Sequence, residues 1–242
     1  MENPNKNVQN IVSNDGKKVL SPQLGIVVHF QVNNIVHVEN TIRDLSAIGI
    51  NHIRTAVSWP DLKTSKGINW YNWLFNNLSR NFTILPCLSY TPSHILTENG
   101  EDFSKDIVEF ISLYGNHFEF VEIIGDPYEN SKQLQYNFID NLGRASLRLH
   151  QLGKKIVLGN IHPQNLQWLT YLAKANVLQK IDVIGIQAYP YIFESGWNGW
   201  MAEISKMNHL AQKKTKAGEK SGLPKPVIQR LNMMIKIKYL DL

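Results

Sequence analysis

The residues best suited to chemistry follow an apolar run near the middle of the chain. β-Branched and aromatic side chains dominate positions 118–124, and the run ends abruptly at Gly125-Asp126-Pro127. This pattern is typical of a buried strand that carries one acid at its carboxyl end. Parallel α/β folds place their chemistry at that end. Asp126 is therefore the candidate catalytic acid, and the structural alternative is an aspartate that bonds its own backbone in a turn.

Two other charged residues lie inside predicted strands. Glu122 shares a strand face with Asp126, because side chains alternate along a strand, and it is a candidate second inward carboxylate. Arg54 lies in an otherwise apolar segment, and a buried arginine has to be paired. We expect Arg54 either to support the acids of a site or to form a structural ion pair with Asp126 or Glu122.

A further set of polar and aromatic residues falls at or near predicted strand ends, where a ligand would be held. The flat faces of aromatic rings are suited to stacking on pyranose rings. Each residue has a structural alternative, because isolated histidines are more often structural and tryptophans more often pack in a core. The candidate substrate-binding residues are His29, Trp59, Tyr90, His162, Gln187, Tyr189 and Trp197.

The segments that must position these residues alternate between strand and helix. Between apolar strand-like runs, apolar residues recur at three- and four-residue intervals, as in Val38, Ile42 and Leu45 before the stop at Gly49, which indicates amphipathic helices. Such alternation implies parallel βαβ units with right-handed crossovers. The predicted strands are 25–30, 53–59, 82–88, 118–124, 155–159 and 181–189, with a seventh beginning at 226–228.

Seven such units in 242 residues favour an incomplete (β/α)8 TIM barrel of the α/β class. A doubly wound sheet is disfavoured, because no glycine-rich phosphate loop follows the first strand. We expect one domain over 23–242, with a divergent basic tail from about 229. A flexible polar arm, 1–22, precedes the domain and contains a short strand at 18–20.

The distribution of charged and apolar residues bears on nucleic-acid binding, membrane association and cellular location. Residues 201–242 hold nine Lys or Arg against three acids, whereas the whole chain carries only +5, so the basic character belongs to the tail. Basic residues without interleaved aromatics do not indicate nucleic-acid binding. The polar N-terminus lacks the apolar segment of a secretion signal, and no run reaches the roughly 20 apolar residues of a membrane span. We expect a cytoplasmic protein with no membrane partner.

Cysteine usage excludes two kinds of site. Cys87 is the only cysteine, so an intramolecular disulfide is impossible, and no Cys/His zinc spacing occurs. Its apolar surroundings predict an inert core thiol. We expect no cofactor and no bound metal.

Three motifs in order resemble a known group of enzymes. They are Asp44-Leu45 followed by Gly49-Ile50 and Ile53-Arg54, then Gly125-Asp126-Pro127, then the run from Asp182 to Pro190. This order is similar to that of the TIM-barrel clan of retaining glycoside hydrolases, such as cellulases and β-xylosidases. The resemblance covers about 24–228 and implies a carbohydrate ligand or substrate.

The resemblance also implies roles for individual residues. The clan ends its fourth strand in Asn-Glu-Pro, where the Glu is the acid/base and the Asn contacts the sugar 2-hydroxyl; here Gly125 and Asp126 stand at those positions. Asp126 is one methylene shorter than Glu, and retention depends on carboxyls about 5–5.5 Å apart. Arg54 corresponds to the clan's second-strand arginine, Tyr189 to a sixth-strand aromatic, and Gln187 replaces a frequent histidine.

The nucleophile of the clan has no counterpart by position. Lys225-Pro226-Val227-Ile228 is similar to the start of the seventh strand, which places the expected Glu near Leu231. Asp241 is the only acid between 229 and 242. We expect a C-terminus that is divergent or truncated.

Three hypotheses follow. The first is a glycosidase-type barrel acting on a β-linked glycan or glycoside, with Asp126 as proton donor supported by Arg54 and with the nucleophile missing or supplied in an unrecognised way. The second is a catalytically inactive or truncated relative that at most binds carbohydrate. The third is a metal-dependent, sugar-isomerase-like barrel that uses Glu122, Asp126 and His162. Sugar identity, linkage and oligomeric state are not predicted.

Overall fold

Six parallel strands, hydrogen-bonded in chain order, form the main sheet. The computed structural model describes residues 11–12, 18–19, 24–88, 101–124, 132–161 and 166–186, together with 202, 205 and 209. A two-stranded antiparallel sheet of β1 (Ile11–Val12) and β2 (Lys18–Val19) precedes the main sheet. The main sheet consists of β3 (Ile26–Val28), β4 (His52–Val57), β5 (Thr83–Leu88), β6 (Phe120–Ile124), β7 (Lys155–Ile161) and β8 (Val183–Ile186).

Helices connect the strands of this sheet. They are α1 (Ile35–Ala47), α2 (Trp59–Leu62), α3 (Ser65–Leu78), α4 (Glu101–Tyr114), α5 (Lys132–Gln151) and α6 (Leu166–Lys174), with short 3₁₀ segments at Gly115–His117 and Leu178–Lys180. The sheet curls into a half barrel, as in a partial TIM barrel. Among the described residues, no helix is both long enough and apolar enough to cross a bilayer.

Local sequence signals explain where the helices begin and end. The side chain of Asn34 accepts a hydrogen bond from the backbone N–H of His37 and caps α1. Thr64 caps α3 in the same way, by accepting from the N–H of Gly67. Gly49 adopts a φ of +77° just after α1, a conformation that glycine adopts without the penalty a side chain would add.

The sheet has two chemically different faces. One face packs against the helices and forms the hydrophobic core, in which strand residues such as Ile53 and Val121 join helix residues such as Phe75 and Leu142. The opposite face, which we call the concave face, is lined by the alternate residues of each strand. The residues of the concave face, identified by strand pairing and side-chain contacts, are Val27, Arg54, Ala56, Leu85, Cys87, Glu122, Val157 and Gly159.

The predicted α/β alternation is confirmed for the six described strands, with corrections at their ends. The first predicted strand is shorter, at Ile26–Val28, and the fourth begins at Phe120. The second predicted strand ends at Val57, and Trp59 instead begins α2, because Ser58 caps that helix and Pro60 fits its first turn. The fifth predicted strand continues to Ile161, with an irregular register against β8 after Leu158. The predicted strand at 18–20 pairs with Ile11–Val12, a partner that was not expected. Positions 187–189 and 226–228 lie outside the described residues.

The core beneath α3 and α4 depends on one aromatic side chain. The Phe75 ring lies within 6.1 Å, centroid to centroid, of Tyr71, Phe110, Tyr114 and Phe118. Phe75 is fully buried. Truncation there removes contacts with two helices and with the segment that leads into β6.

We expect Phe75→Ala to lower the free energy of unfolding by about 3–5 kcal/mol, as is usual for a deleted core aromatic. Urea denaturation followed by circular dichroism measures the change. Lys66→Ala, at an exposed position of the same helix, is the control and should change stability by less than about 0.5 kcal/mol. A similar small loss for both variants would contradict the assigned core.

Acid should weaken this part of the core through His117. Its ring stacks on Phe75, and burial lowers the pKa of His117 from the ordinary value of 6.5. Below 6.5 the unfolded chain therefore binds a proton more readily than the folded chain, so stability is lost as the pH falls through that value. His117→Gln should show a smaller loss of urea midpoint between about pH 7.5 and about pH 5.5 than the wild type. Asn116→Gln, an exposed neighbour, should keep the wild-type loss.

Candidate functional site

An ion pair between Arg54 and Glu122 occupies the concave face. Arg54 Nε donates to Glu122 Oε2 at 2.5 Å, and Arg54 Nη2 donates to Glu122 Oε1 at 2.7 Å. The two side chains are 13% and 4% exposed. Two parallel hydrogen bonds fix both the distance and the plane of the pair. Of the two partners that the sequence offered for Arg54, Glu122 is the one seen among the described residues.

The pair bridges two strands that are not neighbours. Arg54 is on β4 and Glu122 is on β6, and β5 lies between them. Cys87 of β5 is the register partner of Glu122 and of Ala56, whereas Arg54 is the register partner of Leu85. The Arg54 side chain therefore leans along its strand by two residues, about 6.6 Å of rise, and crosses over β5 to reach the carboxylate.

Cys87 contributes a third contact to the pair. Arg54 Nη2 donates to Cys87 Sγ at 2.9 Å, and Cys87 is fully buried. The sequence prediction of a buried thiol is confirmed, but its contact with a guanidinium was missed. The signal was present in the period-two alternation, because Arg54 and Cys87 both point to the concave face once the register between their strands is known.

Glycine on β7 leaves room for the carboxylate. A Cβ at Gly159 would overlap the Glu122 side chain. A Cβ at Gly185 of β8 would in turn lie 3.2 Å from Gly159 Cα. The sequence did not single out either glycine, because the requirement for a missing side chain arises only when β6, β7 and β8 are adjacent.

Two of the predicted substrate-binding residues fall within the described part of the chain. His29 is exposed directly after β3, at the carboxyl end of that strand. Trp59 is only 4% exposed and packs edge-on against Phe103, as the core-packing alternative requires, and stacking on a sugar stays a prediction. Asp126 lies outside the described residues, as do Tyr90, His162, Gln187, Tyr189 and Trp197.

The arrangement fits a support role for the pair better than direct proton transfer. Both oxygens of Glu122 accept hydrogen bonds from Arg54, so the carboxylate would have to leave a buried cation before it could accept a proton or bind a metal. Breaking a buried pair typically costs about 3–5 kcal/mol. Among the described residues, no group of three or more His, Cys, Asp or Glu is arranged to hold a metal ion.

Comparison with known proteins gives fold relatives only. No protein-family model matches the sequence, and no curated protein is similar to it in sequence. A sugar phosphate isomerase/epimerase from Parabacteroides distasonis ATCC 8503 has a TM-score of 0.54 and 11% identity, over 97% of this chain and 91% of that chain. A family 20 β-N-acetylglucosaminidase has a TM-score of 0.53 and 13% identity, over 81% and 52%. A family 39 glycoside hydrolase from Bacteroides cellulosilyticus WH2 has a TM-score of 0.51 and 13% identity, over 69% and 38%.

These similarities show a partial TIM-barrel fold. The chain spans about half the length of the family 20 enzyme and a smaller share of the family 39 enzyme. Glycoside hydrolases are thus among its fold relatives, while membership of the retaining clan stays a prediction.

The contact between Gly159 and Glu122 can be tested by a mutant cycle. Gly159→Ala should lower the free energy of unfolding by about 1–3 kcal/mol, because the new methyl group overlaps the carboxylate. The same substitution should cost at least about 1 kcal/mol less in a background with Arg54→Met and Glu122→Ala, which removes both charges together. Urea denaturation gives all four values.

Gly185→Ala is the matched control, since its methyl group would approach Gly159 and not Glu122. Its effect should be the same in both backgrounds. An equal cost of Gly159→Ala with and without the carboxylate would contradict the geometry of the site.

Proposed function

We propose that the chain is a carbohydrate-acting barrel of the glycoside hydrolase type, with a β-linked glycan or glycoside as its ligand. In this proposal Asp126 donates a proton to the leaving glycosidic oxygen, Arg54 and Glu122 support it, and water attacks the anomeric carbon, either directly or after a carboxylate that the clan motif does not identify in this chain. Sugar would lie across the carboxyl ends of the parallel strands, where such folds hold their ligands. Candidate contacts at those ends are His29, Tyr90, His162, Gln187 and Tyr189, with Trp59 and Trp197 as stacking surfaces.

The observation that carries the proposal is the buried Arg54–Glu122 pair on the concave face of a curled parallel sheet. Glu122 is near the end of β6, and Asp126 follows β6 by two residues in the sequence. A fixed guanidinium in a poorly solvated interior acts on nearby carboxyls more strongly than a solvated one. In this proposal the fixed Arg54–Glu122 pair holds the end of β6, and with it the segment that carries Asp126, in one position.

The division of roles between the two acids follows from their surroundings. Glu122 is held by two hydrogen bonds from Arg54, with which a proton or a ligand would have to compete. We therefore assign proton donation to Asp126, the acid that the clan motif places at the end of this strand. A donor of this kind contributes about a hundredfold to ten-thousandfold in rate.

One observation favours a second candidate, the sugar-isomerase-like barrel. The Parabacteroides isomerase/epimerase matches this chain over nearly the full length of both proteins. In that candidate Glu122, Asp126 and His162 would bind a metal ion. The bidentate pairing of Glu122 with Arg54 makes Glu122 a poor ligand, so we prefer the glycosidase-type barrel.

Hydrolysis of a panel of aryl β-glycosides tests the proposal. We expect turnover by the wild type and a loss of at least about a hundredfold in kcat with Asp126→Asn, because the amide cannot donate the proton. Glu129→Gln, three residues away, is the matched control, because it also replaces a carboxyl with an amide in the same segment. It should retain most of the activity.

Other results would replace the proposal. Glycan binding without turnover in the wild type would identify an inactive relative that retains its cleft. Sugar isomerisation that requires a divalent ion and stops with chelator would identify the second candidate. Turnover that is unchanged in Asp126→Asn would remove Asp126 from the mechanism.

A further inference from the structure

The thiol of Cys87 lies where the guanidinium of Arg54 crosses β5. Arg54 Nη2 donates both to Glu122 Oε1 at 2.7 Å and to Cys87 Sγ at 2.9 Å. Cys87 is also the register partner of Glu122. The two hydrogen bonds to Glu122 hold the guanidinium to one carboxylate, and the sulfur adds a contact from the intervening strand.

The size and chemistry of cysteine suit this position. A larger residue on β5 would stand between Arg54 and Glu122, whose strands flank it on either side. An alanine would be small enough, but it would lack the sulfur that accepts from Arg54 Nη2. Sulfur is a weak acceptor, and it keeps most of the apolar character that a fully buried strand position favours.

We propose that Cys87 is a positioning residue, which fixes the Arg54 guanidinium over β5 and so sets where its positive charge lies beneath the strand ends. Its catalytic consequence rests on the proposed function, because the charge matters to turnover only if Asp126 acts there. The contact itself can be tested without any activity. Serine at this position keeps an acceptor, whereas alanine and valine both lack one.

Hydrogen exchange at Arg54 Nη2, the nitrogen that donates to Cys87 Sγ, provides that test. In protein labelled with ¹⁵N-arginine, the Nη2–H signals of Arg54 are assigned by their absence in Arg54→Lys. We expect exchange to accelerate about tenfold or more in Cys87→Ala and in Cys87→Val, and to stay within about twofold of the wild type in Cys87→Ser, because the donor network needs an acceptor there. Val157→Ala is the matched control, since Val157 is the register partner of Glu122 on its other side. It should leave the exchange rate unchanged.

Each result decides the proposal. Faster exchange in Cys87→Ala together with wild-type exchange in Cys87→Ser supports a lost acceptor, because neither substitution adds volume between Arg54 and Glu122. Exchange as slow as in the wild type in Cys87→Ala or Cys87→Val overturns the proposal, as does equal acceleration in Val157→Ala. If aryl glycosides are turned over, Cys87→Ala should lower kcat with KM unchanged, and Cys87→Ser should restore it. Absence of turnover in the wild type rejects the proposed function and leaves the exchange rates to decide the role of Cys87.

Discussion

The buried charge of Arg54 is the constraint on which the concave face depends. A guanidinium cannot be left unpaired in a poorly solvated interior, and it cannot lose its proton there. The sheet meets this requirement with Glu122, two strands away, at hydrogen-bond distances of 2.5 and 2.7 Å. Once that pair is in place, the neighbouring positions are restricted. β5 must carry a small residue beneath the guanidinium, and β7 must carry a glycine beside the carboxylate.

The two faces of the sheet have different tasks: one forms the hydrophobic core, and the other carries the ion pair of the candidate site. The helix-covered face of each strand is apolar and supplies cohesion through side chains such as Ile53, Val121 and Ile156. The concave face carries the Arg54–Glu122 ion pair where apolar side chains could have packed. A buried ion pair is seldom the most stabilising choice for such a position. Its presence on the concave face is consistent with the support role that the proposed function gives it.

Local patterns predicted most of the fold. The apolar spacing of α1 and the stop at Gly49 identified that helix, and the apolar run of 118–124 identified β6. Trp59 was assigned to a strand end because its apolar character continued the run, while the capping role of Ser58 decided in favour of a helix. The strand Ile11–Val12 was missed because two residues carry too little periodicity to be recognised.

The candidate site was harder to predict because its contacts join strands distant in sequence. Arg54 and Glu122 are 68 residues apart, and only the register of β4, β5 and β6 shows that Cys87 lies between them. The need for glycine at Gly159 is likewise a property of the assembled sheet. A sequence indicates that a buried arginine needs a partner. The identity of that partner depends on which strands become neighbours in the sheet.

On the proposed function, a sugar binds at the carboxyl end of this sheet, next to Asp126 and above the Arg54–Glu122 pair. A crystal structure of the chain with a β-linked disaccharide tests this most directly. We expect a glycosidic oxygen within hydrogen-bond distance of the Asp126 carboxyl, with the Arg54–Glu122 pair intact beneath it. A sugar bound elsewhere, or an Asp126 carboxyl that bonds its own backbone and turns away from the ligand, would contradict it.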